Sequence, residues 1–245
     1  MSGHSKWATI KRQKGAADAK RSVTFTKLAA AITVAARDGG GDLGSNFKLR
    51  LAVDKAREAN MPKDNIDRAI KRGTGELGGA AFEHIVYEAY APGGAALVID
   101  VNTDNRNRAV ANIKSILNKH NGKLAESGAV AYLFQPRGVM TVAGGDAEAM
   151  EMAIIESGAD DYALSDDSAV VYTDPKEVMA VAKALETAGL TASDVEQTME
   201  PVSTIMISDE KTAKTLVAIT ELLEDLDDVS SVYSNFDIDE SFNIG

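Results

Sequence analysis

The sequence contains no cysteine, few aromatic residues and no long apolar run. The lack of cysteine excludes disulfides, thiol catalysis and cysteine-based zinc sites. Aromatic residues make up 5% of the 245 residues and hydrophobic residues 44%, so we expect aliphatic, alanine-rich cores. No stretch reaches about 18 consecutive apolar residues, the length typical of a membrane-spanning helix. A chain of this length predicts two or three domains, at roughly 150 residues per domain.

The motifs of common catalytic and metal sites are also missing. Neither a phosphate-binding loop GxxxxGK[ST] nor a nucleophile elbow occurs. The histidines have no ligand spacing: His4, His84 and His120. Adjacent carboxylates, interpreted as solvated surface groups, occur at Asp160-Asp161, Asp166-Asp167 and Asp227-Asp228. The sequence therefore predicts a protein that is not an enzyme, with no cofactor, no metal and no small-molecule substrate.

The first residues do not have the pattern of an export signal. Such a signal needs an apolar run after a short basic region, and here charges recur throughout residues 1–27. Together with the lack of cysteine, this pattern predicts a cytoplasmic protein that does not bind a membrane.

Charge is divided unevenly along the chain. Residues 1–75 contain 16 Lys/Arg and 7 Asp/Glu, a net charge of +9, whereas the remaining 170 contain 10 and 30, a net charge of -20. A basic surface attracts polyanions over a Debye length of about 8 Å at physiological salt, and an acidic surface repels them. The division predicts that the N-terminal part binds nucleic acid while the acidic remainder stays clear of it.

Residues 1–27, which we call the basic arm, carry a single acid, Asp18. The cations expected to bind phosphates are Lys6, Lys11, Arg12, Lys14, Lys20, Arg21 and Lys27. Such contacts do not distinguish DNA from RNA. The only tryptophan, Trp7, offers a ring on which a base could stack; the alternative is that it packs on the helical domain.

Two further groups of cations have two interpretations each. Arg68, Lys71 and Arg72 lie near the end of a predicted helix, where they would either bind phosphates or simply complement the helix dipole. Arg106 and Arg108 lie in "TDNRNR", in the first turn of another predicted helix, where the dipole disfavours cations.

That second pair is expected to follow an N-cap at Thr103 or Asp104. The two arginines would then form an anion site at the helix N-terminus. The alternative is that they form ion pairs with nearby acids such as Glu88 or Asp100.

Apolar periodicity predicts three helices in the N-terminal part. The first begins near Phe25 and stops at the glycine run 39–41, the second is capped by Ser45, and the third begins at Pro62 and stops at Gly73. From about residue 80 the pattern alternates between strands and helices. The predicted strands are "HIVYEAY", "AALVIDVN", "AVAYLF", "GVMTVAG", "AVVYT", "VSTIMI" and "VSSVYSNF". This order predicts an α+β protein with two ferredoxin-like modules.

Several long motifs resemble the YebC/PmpR family. They are "GHSKW" (3–7), "DKAREANMPKDNIDRAIKRGTG" (54–75), "TDNRNR" (103–108), "VAYLF" (130–134) and "LEDLDDVSSVYSNFDI" (223–238). The resemblance implies a three-helix domain followed by two α+β domains, the third inserted in the second. The implied ranges are 1–79 with the basic arm, 80–134 plus 205–245, and 135–204. The family's usual "YEGYGPGG" is "YEAYAPGG" here, and alanine disfavours a positive φ at Ala89 and Ala91.

The resemblance implies a nucleic-acid-binding regulator of gene expression. The family is named for probable transcriptional regulators, and this name favours DNA as the ligand and transcription as the process. A mitochondrial translational activator also belongs to the family, so an RNA- or ribosome-associated role in translation is the alternative. A second alternative is an interaction protein whose acidic part binds other proteins.

Overall fold

The computed structural model describes residues 25–78, 82–165, 167–239 and 242. Within them, seven α-helices accompany antiparallel sheets, and the predicted α+β class is confirmed. The described residues form two compact units. The first unit contains those up to Leu133 and from Ser203 onwards, and the second unit runs from Phe134 to Val202. The division into three domains, with an insert over 135–204, remains a prediction.

The N-terminal helices pack into a small bundle within the first unit: α1 (Phe25–Gly39), α2 (Phe47–Glu58) and α3 (Lys63–Gly73). Their apolar faces share one core that includes Ile32, Leu49 and Val53. Gly73 allows α1 and α3 to approach closely, because a Cβ atom there would lie 2.3 Å from the Thr33 carbonyl oxygen.

The N-cap of α2 is Asn46, whereas the sequence predicted Ser45, one residue earlier. The Asn46 side chain accepts a hydrogen bond from the Leu49 amide (3.1 Å) and donates to the carbonyls of Ala35 and Gly40 (2.8 and 2.7 Å). A hydroxyl cannot donate twice, so only the carboxamide satisfies all three groups at this buried position.

The rest of the first unit is a four-stranded antiparallel sheet in the order β3-β1-β2-β9. Its strands are β1 (Glu83–Tyr90), β2 (Ala96–Thr103), β3 (Lys123–Leu124) and β9 (Val229–Ser234). Helices α4 (Arg106–Lys119) and α7 (Glu210–Glu224) share a core with it through Leu97, Ile113 and Leu216. Strands β8 (Ile205–Ile207) and β10 (Phe236–Ile238) form a short parallel pair.

The second unit follows the β-α-β-β-α-β order of ferredoxin-like folds, with strand order β5-β6-β4-β7. Its elements are β4 (Phe134–Ala143), α5 (Ala147–Glu156), β5 (Asp161–Leu164), β6 (Ser168–Thr173), α6 (Val178–Thr187) and β7 (Thr191–Pro201).

Some strand predictions were wrong. In "AVAYLF" the segment Ala131–Leu133 is a 3-10 turn, and the strand begins only at Phe134. Strands β5 and β7 were missed because acidic residues, which have low strand propensity, are frequent in and beside them. Backbone pairing with β6 and β4 supplies their hydrogen bonds instead.

Candidate nucleic-acid interface

Most of the predicted phosphate-binding arm lies outside the described residues. This applies to Lys6, Trp7, Lys11, Arg12, Lys14, Lys20 and Arg21. Residues 1–24 carry 6 Lys/Arg and 1 Asp, a net charge of +5, whereas residues 25–75 carry 10 and 6, a net charge of +4. The positive charge of residues 1–75 is therefore shared about equally between residues 1–24 and residues 25–75, which contain the helical bundle.

Lys27, the last cation of the basic arm, lies in α1 and contacts the protein itself. Its ammonium group donates a hydrogen bond to the Glu224 carbonyl at the end of α7. Partial burial lowers the pKa of Lys27, against the attraction of nearby carboxylates such as Asp225. A cation at a helix C-terminus is favourable because the last carbonyls of the helix lack intrahelical partners. In this structure Lys27 joins the helical bundle to α7.

The cations of α3 are arranged differently. Arg68, Lys71 and Arg72 are spaced three and four residues apart, so they share one exposed face of the helix, opposite the buried Ile66 and Ala69. No other described residue forms an ion pair or hydrogen bond with their side chains. We call Arg68, Lys71 and Arg72 the α3 cationic face. Its geometry is compatible both with the helix-dipole interpretation and with phosphate binding.

Other arginines of the bundle are held by neighbouring groups. Arg50 donates to the carbonyls of Leu43 and Gly44, at 3.0 and 2.8 Å, and so fixes the loop before α2. Two more pair with acids on their own elements, Arg37 with Asp38 (2.8 Å) and Arg57 with Asp54 (3.1 Å). The α3 cationic face is thus the better candidate for contacts with an external polyanion.

Arg108 forms a hydrogen-bonded cluster at the start of α4. Its guanidinium group donates to both carboxylate oxygens of Asp228, at 3.0 and 2.5 Å, and to Asp104 at 2.9 Å. Asp228 also accepts a hydrogen bond from the Thr103 hydroxyl (2.8 Å). The ion-pair interpretation therefore holds for Arg108, but its partners are Asp104 and Asp228, not the acids predicted.

The environment of Asp228 differs from the solvated surface expected for it, since the residue is only 7% exposed. Burial raises its pKa, but the hydrogen bonds from Arg108 and Thr103 outweigh burial and leave the pKa below its ordinary value. The hydrogen bonds from Arg108 to Asp228 and Asp104 raise the pKa of Arg108 further above its ordinary value. Both groups therefore stay charged at neutral pH, and the cluster fixes the start of α4 to the residue before β9.

The cap of α4 also differs from the prediction. Asn105, and neither Thr103 nor Asp104, accepts the hydrogen bond from the Arg108 amide, at 3.0 Å. Arg106 is exposed and forms no bond with the other described side chains. The two arginines of this motif are therefore not equivalent, and only Arg106 is available to a ligand.

The two acids predicted as partners have other contacts. The buried Glu88 carboxylate accepts hydrogen bonds from the amides of Gly128, Val130 and Ala131, at 2.6 to 2.8 Å. Burial raises the pKa of Glu88, but these amide bonds lower it overall. Asp100 lies 3.5 Å from the His84 imidazole. Glu88 thus holds the 3-10 turn that precedes β4, which explains why this segment is not a strand.

Sequence reasoning missed a second group of cations. A shallow groove of about 440 Å³ is lined by His120, at the end of α4, and by residues of α7 that include Lys211, Lys214 and Thr215. Lys214 also pairs with Glu210 at 2.7 Å. Two signals in the sequence point to this surface: α4 contains no acidic residue, and residues 211, 214, 215 and 218 share one helix face.

The described residues contain no helix that is long and apolar enough to cross a membrane. No three His, Asp or Glu side chains among the described residues are grouped as metal ligands.

The fold and the cationic surfaces define an α+β protein with a basic helical bundle and an acidic remainder. Its sequence matches two family models, "TACO1/YebC protein N-terminal domain" over residues 5–76 and "TACO1/YebC second and third domain" over residues 82–236. The chain belongs to the TACO1/YebC family, which confirms the resemblance seen in the motifs.

Similar proteins match over nearly their whole length. A "probable transcriptional regulatory protein" of Rubrobacter xylanophilus is 54% identical, covering 98% of this chain and 97% of the relative. One of Geobacter sulfurreducens with the same description is 48% identical, covering 97% and 96%. The crystal structure of a conserved hypothetical protein from Aquifex aeolicus has a TM-score of 0.81 and 40% identity, covering 98% of this chain and 97% of that one.

Proposed function

We propose that this protein is a non-enzymatic, DNA-binding regulator of transcription whose basic N-terminal part binds the phosphate backbone. The observation that carries the proposal is the α3 cationic face, which is exposed and lies within the part of the chain with a net charge of +9. Phosphate contacts of this kind supply affinity and position a protein on a duplex. The names of the relatives as probable transcriptional regulators support a regulatory role.

Binding by charge alone does not select DNA. Backbone contacts carry no sequence information, and RNA presents the same phosphates. An RNA- or ribosome-associated role in translation is therefore the competing assignment, and a direct comparison of ligands decides between the two.

The test pairs two double variants that remove the same charge. Arg68→Ala with Arg72→Ala removes two cations from the α3 cationic face, and Lys176→Ala with Lys183→Ala removes two exposed cations from the second unit. Affinity for duplex DNA, structured RNA and ribosomes is measured at several salt concentrations. We expect the first variant to bind more weakly and to make the slope of log affinity against log salt shallower by about 1.8 on duplex DNA, since each contact contributes about 0.9.

The control variant is expected to bind like the wild type. Equal affinities of the α3 variant and the wild type would refute the α3 cationic face as the interface. Preference of the wild type for RNA or ribosomes over duplex DNA would replace the transcriptional assignment with the translational one.

A further inference from the structure

The net charge of the whole protein resides in the second unit. Residues 134–202 contain 3 Lys/Arg and 14 Asp/Glu, a net charge of -11, whereas the rest of the chain contains 23 of each. A surface with this excess of negative charge repels nucleic acid and attracts cationic partners over the range of the Debye length. The partner of the second unit is therefore expected to be basic.

Helix α5 of this unit is apolar on two sides. Met150 and Ile154 are buried in the core of the unit. Met152 and Ile155 point away from it and are 58% and 62% exposed. A surface helix normally presents polar residues on its outer face. Two large apolar side chains one turn apart on the outer face of a helix form a small apolar patch that is accessible to a partner.

Acidic residues flank this apolar pair. Glu148 and Glu156 are exposed and lie one turn before and one turn after Met152 on the same helix. Glu151 accepts a hydrogen bond from the Tyr162 hydroxyl at 2.6 Å, which holds its carboxylate at the side of the helix. The apolar pair thus lies between carboxylates, and the surface combines apolar area with negative charge.

We propose that Met152 and Ile155 form the docking surface for a cationic amphipathic helix of another protein. Such a helix would place apolar residues at three- and four-residue spacing on the pair and its Lys or Arg residues against Glu148 and Glu156. Charge complementarity selects this occupant. A second copy of the same surface would bring carboxylates against carboxylates, and a nucleic acid would bring phosphates against them.

The test uses the full-length chain and a synthetic helical peptide with leucine at three- and four-residue spacing and lysine at the flanking positions. A scrambled peptide of the same composition has the same charge but no apolar face. We expect the chain to bind the amphipathic peptide more tightly than the scrambled one. The double substitution Met152→Ser with Ile155→Ser should weaken that binding about tenfold or more, because it removes the apolar area that the peptide covers.

Leu222→Ser is the matched control, because Leu222 is an exposed apolar residue of α7 in the first unit. It should bind the peptide like the wild type. Glu148→Gln with Glu156→Gln should make peptide binding less dependent on salt. Equal binding of the two peptides, or unchanged binding by the Met152/Ile155 variant, would overturn the proposal.

Self-association of the wild type that the Met152/Ile155 variant abolishes would also overturn it, because the occupant would then be a second copy. Nucleic-acid affinity of the same variant is expected to stay unchanged, so the outcome is independent of the proposed DNA binding.

Discussion

Replacing Asp228 by asparagine tests whether the cluster at the start of α4 stabilises the first unit. Removing one partner of a fully buried ion pair costs about 3–5 kcal/mol, because the remaining charge is left without compensation. Here the Arg108 side chain is 48% exposed and keeps its contact with Asp104 at 2.9 Å. Asparagine can also still accept a hydrogen bond from Thr103. We therefore expect Asp228→Asn to lower the free energy of unfolding by about 2 kcal/mol.

The assay is urea unfolding of the full chain at pH 7, monitored with a probe in the first unit. Arg108→Ala and the double variant complete a double-mutant cycle, which isolates the coupling between the two side chains. Asp227→Asn serves as the control, because Asp227 is adjacent in the chain but exposed, and its effect should stay within about 0.5 kcal/mol. A coupling energy near zero, or equal effects of the Asp227 and Asp228 variants, would refute the reasoning.

Three further substitutions test the packing and the buried polar groups. Gly73→Ala should destabilise the helical bundle by about 1–3 kcal/mol in thermal unfolding, because the alanine Cβ atom would lie 2.3 Å from the Thr33 carbonyl oxygen. Unchanged stability would mean that α1 and α3 are less closely packed. Asn46→Ala should cost about 2 kcal/mol through the lost N-cap and two lost buried hydrogen bonds, whereas Ser45→Ala should cost much less. Glu88→Gln should expose the turn at residues 128–131 to faster hydrogen exchange. The pKa of Glu88 is lowered in the folded state, so its contribution to stability is present above its unfolded pKa and is lost as the pH falls through the folded pKa. The difference in the free energy of unfolding between the wild type and Glu88→Gln should therefore shrink in acid.

Features with local sequence signals were predicted well. The stop of α1 at its glycine run follows from backbone preferences that act within a few residues, since Gly40 has a φ of 82°. After α3 the glycine with a positive φ is Gly75, whereas Gly73 is the last helical residue and allows the close packing against α1. The choice of Ser45 over Asn46 as the cap of α2 was wrong by one residue, because both residue types cap helices and only the buried donor role distinguishes them.

Features that depend on tertiary contacts were not predictable in the same way. Arg108 and Asp228 are 120 residues apart, and nothing near either residue in the sequence indicates the pair. Acids that are close along the chain or in the neighbouring strands, such as Glu88 and Asp100, were therefore the expected partners. The exposure of Met152 and Ile155 was likewise not predictable, since apolar residues on a short helix are normally assigned to the core.

The salt dependence of nucleic-acid binding tests the central claim most directly. The wild type and the variant Lys11→Ala, Arg12→Ala, Lys14→Ala are compared on duplex DNA, structured RNA and ribosomes at two salt concentrations. If the basic N-terminal part binds phosphates, log affinity falls as log salt rises. On duplex DNA the slope of this dependence should be shallower for the triple variant by up to about 3 units. Unchanged affinity of the triple variant for all three ligands would contradict the account.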